Sequence, residues 1–504
     1  MNNSSPILLC ALAIGCGGAT PAERPRADRL TETSAQAKAA LASEDSDVGD
    51  TAIDCGTPFD ADTASPDSGG AGGHDHNSPE NKPYDIDAFD DVKNCASCHP
   101  DHYDDWYGSI HAYAASSPVF WKGSAHIGET TEFPLSCIGC HATIATLSAS
   151  LPPATPITAK EQLPAAAQHG VSCTVCHKLY DVHDGVNQLT QCDDYYFGTL
   201  EDPQDNTYHS NDYSGIHTEA LVCRSCHNVE NLNGVQVELT YSEWLEENEN
   251  QGGTEFEPAI QTCQDCHMPA YEGTAALGGP TRTVHRHTFV GGDVALTPFP
   301  DSHRQYKLVE DLMRTAGTLD IIPAYDGEGG TFSDVDLRVT NLIEGHNLPT
   351  GAAFDRQVWL ELYVTDADGN VMLESGTLDG NGDLMNEHSE LAPSADFWIT
   401  NRLSIFRSYL TDVNGDETFD FIGAATKIED ASLLPGETRY VRYHLGEAPT
   451  TATPLPITIE ARLLYRPFPP FLLRNTYEMD DDLIASVPIF EIATATAVLE
   501  GVTE

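Results

Sequence analysis

The strongest constraint on this chain is a short pattern that occurs five times between Cys95 and His267: a cysteine, two other residues, a cysteine and a histidine. The copies join Cys95 and Cys98 to His99, Cys137 and Cys140 to His141, Cys173 and Cys176 to His177, Cys223 and Cys226 to His227, and Cys263 and Cys266 to His267. This spacing is the attachment signature of c-type haem. Two thiols one short turn apart can form thioethers to the two vinyl groups of one porphyrin, and the adjacent imidazole then lies under the iron as its proximal ligand. A lone Cys-x-x-Cys can equally be half of a zinc site or a redox pair. Five tandem copies, each followed directly by histidine, weigh heavily against zinc ribbons or disulfides. The expectation is five covalently attached haem c groups, with His99, His141, His177, His227 and His267 as proximal ligands.

Such groups are attached outside the cytoplasm, and the N-terminus offers an export route. Pro6 to Ile14 is a short apolar run, below the ~20 residues of a membrane-spanning helix and of the length of a signal-peptide apolar region. Its ending, Leu12 to Cys16, resembles a bacterial lipoprotein cleavage box, which implies Cys16 as first mature residue and lipid carrier. No Lys or Arg precedes Arg24, so the basic segment of such signals is missing and an ordinary export signal cleaved elsewhere stays open. Either route predicts an exported protein, periplasmic or at the cell surface; the lipoprotein route, with a signal peptide over residues 1–15, anchors it to the outer membrane. Residues 16–83 are poor in large apolar groups and read as a disordered tether, with His74 and His76 as solvated side chains. Two cysteines outside the motifs and the N-terminal pair Cys10 and Cys16, namely Cys55 and Cys192, could form a disulfide in an oxidising compartment; the sequence leaves that pairing open.

Residues 84–304 hold all five motifs and show short helical patches between long loops. Tyr103, Trp106, Tyr107, Ile110 and Ala114 recur at helical spacing. Asp301 to Ala316 reads as a helix, within a helical connector assigned to 305–330. From about residue 331 the pattern changes to period two: Val358, Leu360, Leu362 and Val364 alternate with Trp359, Glu361 and Tyr363, and Ile457, Ile459, Ala461 and Leu463 with Thr458, Glu460 and Arg462. The expected fold is therefore multidomain: a mainly α-helical, loop-rich multihaem cytochrome c domain, then an all-β, immunoglobulin-like sandwich over 331–504. Within the latter, Asp412, Asn414, Asp416 and Asp420 place oxygen donors in a calcium-loop-like spacing, without the Gly and Glu of an EF-hand; Ca2+ or a plain acidic turn both fit.

What a haem does depends on its sixth position: a side chain there gives an electron carrier, an open position admits a substrate. Methionine is scarce, with six in the chain and Met313 alone suitably placed, which predicts bis-histidine, low-potential sites. The non-proximal histidines in or beside the haem region are His102, His111, His126, His169, His183, His209, His217, His285, His287 and His303. Ser109 to Ala112, His169 to Cys173, Tyr208 to His217, Cys266 to Pro269 and His287 to Gly292 resemble the multihaem cytochromes c related to hydroxylamine oxidoreductase and the tetrahaem carriers of nitrifying bacteria. That resemblance covers about residues 90–300 and implies closely stacked, mostly bis-histidine haems whose distal ligands come from elsewhere in the chain. Together with the resemblance, the sequence selects His111, His169, His209, His217 and His287 as distal candidates. Gly345 to Gly351 resembles a loop in the C-terminal domains of such cytochromes, where His346 could approach a haem or be a structural loop residue.

The same resemblance includes enzymes acting on nitrite, hydroxylamine and sulfur oxyanions. The surplus of histidines and the lack of an evident catalytic cluster favour transfer over catalysis. The expectation is a carrier of electrons between redox partner proteins, with an oxidoreductase of small nitrogen or sulfur compounds (hydroxylamine, nitrite, tetrathionate-like) as the alternative. A formal net charge of −53 repels nucleic acid and anionic headgroups, so membrane contact is expected only through the lipid at Cys16.

Overall fold

A computed structural model of the protein describes residues 84–503, apart from residues 131–134, 151–156, 184, 191, 193, 204–205, 327–329, 386, 388 and 390–402. The signal peptide and tether expected over 1–83, with Cys10, Cys16, Cys55, His74 and His76, lie outside the described residues. Among those described, no helix is long and apolar enough to cross a membrane.

The first half is built from short helices and two-stranded ribbons. Pro100 starts the helix Pro100–Tyr107, where its fixed φ suits a first-turn position that needs no hydrogen-bonded N–H. The aromatic periodicity that reads as one helix from Tyr103 to Ala114 is in fact two. Gly108 ends the first, and the Ser109 side chain accepts from the Ala112 N–H to cap a second, Ile110–Tyr113. Around these turns lies a core rich in aromatics, with Trp121, Tyr241 and Trp244 packed against Ile138, Ile144, Val175, Leu179 and Leu221. Lys178 is fully buried directly after a motif histidine and donates to the Cys192 carbonyl at 2.6 Å. Cys192 is disulfide-bonded, and the ten motif cysteines are thiols outside any disulfide.

The helix Ser302–Met313 joins the halves. Val309 and Met313 enter the core of the C-terminal half, while Gln305 donates to the Gly108 carbonyl at 2.8 Å and Arg304 reaches the buried Asp105 carboxylate at 2.5 Å. The helix stops there: the connector expected to be helical over 305–330 is a strand at Gly317–Tyr325. Period-two burial of Gly317 and Leu319 against exposed Thr318 and Asp320 explains the change, because the segment forms the edge of a three-stranded antiparallel sheet with Phe332–Asn341 and Thr438–His444.

The second sheet runs Val371–Ser375, Gln357–Thr365, Ile457–Arg466, Phe490–Leu499, with Ile405–Phe406 also on Gln357–Thr365. Val335, Leu337 and Val339 of the first sheet share one fully buried core with Leu360, Leu362, Ile459 and Leu463 of the second. The half is β-rich rather than all-β: helices Pro470–Asn475 and Asp481–Ala485 interrupt it, and Phe471 and Leu472 of the first, with Tyr477 between the two, pack on Val119 of the first half. A second seam joins Val235 and Val237 to Phe354, Leu410 and Ala424.

Truncating the fully buried Leu360 to alanine removes contacts from both sheets and should cost about 2–5 kcal/mol, seen as a lower denaturant midpoint by far-ultraviolet circular dichroism. Val413→Ala, at a position 84% exposed, should leave the midpoint unchanged.

Candidate haem-iron sites

Each motif is close to one helical turn, and the hydrogen bonds show why its three functional side chains stay together. His99 N–H donates to the Cys95 carbonyl at 2.8 Å and His227 N–H to that of Cys223 at 3.0 Å. Such a bond between residues four apart sets the histidine on the face of the first cysteine, with the second cysteine one position before it. Helices Leu135–His141, Cys173–His177 and Cys263–His267 carry three of the motifs directly. The thiols of Cys95 and Cys173, of Cys140 and Cys226, and of Cys223 and Cys263 hydrogen-bond one another. Cys176 lies within electrostatic reach of Cys223 and Cys226. All five motifs therefore form one contiguous cluster.

The motif imidazoles are fixed through one nitrogen. Nδ1 of His99 donates to the Ala275 carbonyl at 2.5 Å, that of His177 to Phe197 at 2.7 Å and that of His267 to Val290 at 2.6 Å. His141 bonds the Ala114 backbone. A carbonyl can only accept, so in the first three rings the proton sits on Nδ1 and Nε2 keeps its lone pair, the arrangement of a metal-ligating histidine. His227 differs in facing a carboxylate, Glu238, 3.9 Å from Nδ1; burial lowers its pKa, but the bond and charge of Glu238 outweigh this and raise it.

A metal–imidazole nitrogen bond is about 2.0–2.1 Å, and adding ~1.1 Å from each nitrogen to its ring centre puts two rings that share one iron about 6.3 Å apart. Four motif histidines have an imidazole at that separation. The ring centres are 6.3 Å apart for His99 and His209, for His111 and His227, for His177 and His287, and for His267 and His346. Burial drives the pKa of His111 and His287 down to about 3 and of His346 to about 4, so these rings are neutral, the form that ligates.

Other histidines stand differently. His217 is 5.4 Å from His177 and gives its Nε2 to the Leu179 carbonyl at 2.9 Å, which is too close and wrongly bonded for sharing an iron with it. His169 ends a 3-10 turn, half-buried near Asp91, Lys93 and Lys160. His102, one turn along the chain from His99, sits 6.5 Å from it at 81°, but residues three apart leave a helix on the same face and cannot oppose each other. His285 Nδ1 donates to the Met268 carbonyl at 2.7 Å, His126 meets the edge of Tyr477, and His183 and His303 are exposed. His346 is the position that proximity to the motifs did not select. Its signal was the glycine-flanked loop Gly345 to Gly351, read as structural or haem-facing.

His141 is the exception among the motif histidines. Among the described residues its ring has no imidazole opposite; it stacks flat on Phe120, 4.2 Å centre to centre at 4°.

The donor set fits haem c. Paired free thiols, neutral imidazoles with Nε2 outward, and opposed rings at the spacing of a shared metal occur together, and the buried Nδ1 of His102 has no hydrogen-bond partner among the described residues. The calcium-like loop fits less well. Asp412 accepts from the N–H groups of Asn414 and Asp416 at 2.8 and 3.0 Å, and Asp420 from that of Gly423 at 3.0 Å. These carboxylates therefore fold their own turns, and no metal-holding group of His, Cys, Asp or Glu residues occurs among the described residues.

Residues 94–178, spanning the first three motifs, match the family described as cytochrome c554 and c-prime. Among solved structures, a penta-heme cytochrome c552 from Thermochromatium tepidum aligns over 82% of this chain and 100% of its own, at 20% identity and a TM-score of 0.55. The fold is shared with a multihaem cytochrome c. No curated protein matches the chain. The family match and the shared fold together support a multihaem c-type cytochrome, a class that suggests electron transfer.

The opposed-pair geometry separates two neighbours of His177. His287→Ala should convert one low-spin iron to high spin in the oxidised holoprotein, read by electron paramagnetic resonance. His217→Ala should leave the low-spin count unchanged.

Proposed function

We propose that the chain is an exported pentahaem c-type cytochrome that carries electrons between periplasmic or cell-surface redox partners. The observation that carries this reading is the set of four imidazole pairs, each pairing one motif histidine with a second ring at 6.3 Å. Haem c, when bound, supplies a one-electron couple between ferric and ferrous iron. The chain contributes the rest. Cys95, Cys98, Cys137, Cys140, Cys173, Cys176, Cys223, Cys226, Cys263 and Cys266 provide the thioether anchors. His99, His141, His177, His227 and His267 bind from one side, with Nδ1 of His99, His177 and His267 held by backbone carbonyls. His209, His287 and His111 face three of them from the other side. The contacts among motif cysteines keep neighbouring sites adjacent, as a carrier requires.

The chain's architecture is read as a haem domain over 84–304 and a sandwich of immunoglobulin-like size over 331–504, which the single core shared by the two sheets supports. An excess of 53 negative charges favours basic redox partners. The reading of residues 1–15 as a lipoprotein signal, with Cys16 as lipid carrier and 16–83 as tether, carries with it an anchor at the outer membrane.

A second reading rests on His141. Without an opposed imidazole among the described residues, its site is where a small molecule has access to the iron, and this favours an oxidoreductase of small nitrogen or sulfur compounds.

One set of measurements decides between them. The mature protein should carry five haem adducts by mass, and the oxidised form four low-spin irons and one high-spin iron that cyanide converts. Five low-spin irons would remove the oxidoreductase reading. A mature chain without porphyrin adducts would remove both.

A further inference from the structure

We propose that His346, in the β-rich half, is the sixth ligand of the iron that His267 holds, and that Glu243 is the positioning residue that keeps it there. This rests on the fifth motif being a haem site.

The geometry is reciprocal. The two rings are 6.3 Å apart and tilted by only 18°. Nδ1 of His267 donates to the Val290 carbonyl at 2.6 Å and Nδ1 of His346 to the Asn347 carbonyl at 2.9 Å. Since carbonyls only accept, each ring keeps an unprotonated Nε2. Two facing lone pairs with no proton between them have nothing to gain from each other; both are satisfied by one electrophile, and a metal ion is the one that accepts two imidazole nitrogens at this spacing. A histidine serving only its own loop has no reason to stand at the separation that three other motif histidines share with their opposed rings.

The loop that carries His346 is built to hold position. The Glu243 carboxylate, on the helix Thr240–Asn250 of the first half, accepts from Asn347 N–H at 3.1 Å, Asn347 Nδ2 at 2.8 Å and Thr350 Oγ1 at 2.5 Å. From the other side, Leu348 and Leu433 exchange backbone bonds of 2.9 Å, and Asn341 Nδ2 donates to the Leu433 and Leu434 carbonyls at 3.0 and 3.1 Å. Gly345 lets the backbone close on Trp244, since a Cβ there would lie 3.2 Å from its ring. Gly351 takes a φ of +74°, open to glycine at no steric cost. The loop is thus pinned between a strand-side anchor and Glu243, with the imidazole projecting toward the fifth motif. Three hydrogen-bonding groups on two residues converge on this one side chain. That is the arrangement of a residue that sets a ligand's place.

The consequence is that one centre takes its two ligands from the two halves of the chain. Its coordination, and with it its potential, depends on the contact between them.

The test uses the full-length holoprotein. His346→Ala should lose one low-spin iron and gain one high-spin iron, which added imidazole returns to low spin, with all five haem adducts kept by mass. His346→Met, which preserves a ligand, should stay low-spin and shift one centre to higher potential in a redox titration. Glu243→Ala should leave that one centre a mixture of high- and low-spin forms, reversed by imidazole. A low-spin count and potentials identical to the parent in His346→Ala and His346→Met overturn the ligand assignment. A Glu243→Ala spectrum identical to the parent overturns the positioning role. If the parent's Cys263–Cys266 peptide carries no haem by mass mapping, the underlying reading of the fifth motif fails instead.

Discussion

An imidazole has two nitrogens, and the organisation of this protein depends on the main chain taking one of them. With Nδ1 of His99, His177 and His267 donated to carbonyls of Ala275, Phe197 and Val290, the proton, the tautomer and the ring orientation are settled before any metal arrives. The first of those carbonyls is 176 residues away in sequence. The local turn of each motif thus delivers a histidine next to its cysteines, and the tertiary fold then aims it. Burial does the complementary work on the opposing side: His111, His287 and His346 are desolvated strongly enough to remain neutral well below neutral pH. His227 stands differently: desolvation lowers its pKa, but the Glu238 carboxylate 3.9 Å from Nδ1 raises it.

The β-rich half supplies what the first half is short of. In the first half, large apolar side chains cluster around Trp121, Tyr241 and Trp244. Across the join, two sheets build an aliphatic core with Val335, Leu337, Leu360 and Leu463 fully buried. Helix Ser302–Met313 ties the two, its Val309 in that core and its Arg304 on the buried Asp105. Asp105 also accepts from the His287 N–H at 3.3 Å. The same carboxylate that fastens the connecting helix therefore holds the backbone of an opposed imidazole.

Much of this was readable from residue order, and the exceptions have physical causes. The motifs encode a local turn, so spacing alone identifies thiols and adjacent imidazoles. The opposed rings are long-range partners, and sequence proximity misleads about them: His217 precedes a motif closely, yet its Nε2 is taken by Leu179, whereas His346 lies in a β-rich segment without a cysteine. The strand at Gly317–Tyr325 was hidden behind a strong helical signal because both periods fit its short apolar set. Alternation around Trp359 suggested one solvated face, but Leu384 and Leu464 cover that residue completely. A strand buried on both faces cannot be told from a half-buried one when its second face is covered by a segment far along the chain.

The difference between His141 and the other four motif histidines follows from the same rule of two nitrogens. Its ring is anchored at the Ala114 backbone, as those of His99, His177 and His267 are anchored at carbonyls. What changes is the surface it packs on. Phe120 lies flat on the imidazole, from the helix Pro118–Thr130, whose Val119 contacts Phe471 and Leu472 of the β-rich half. An aromatic ring there fixes the imidazole plane by stacking, without offering a nitrogen to the metal. Among the described residues, four motif imidazoles thus face a second imidazole and the fifth faces an aromatic ring, and that asymmetry comes from packing rather than from the motifs, which are alike in sequence.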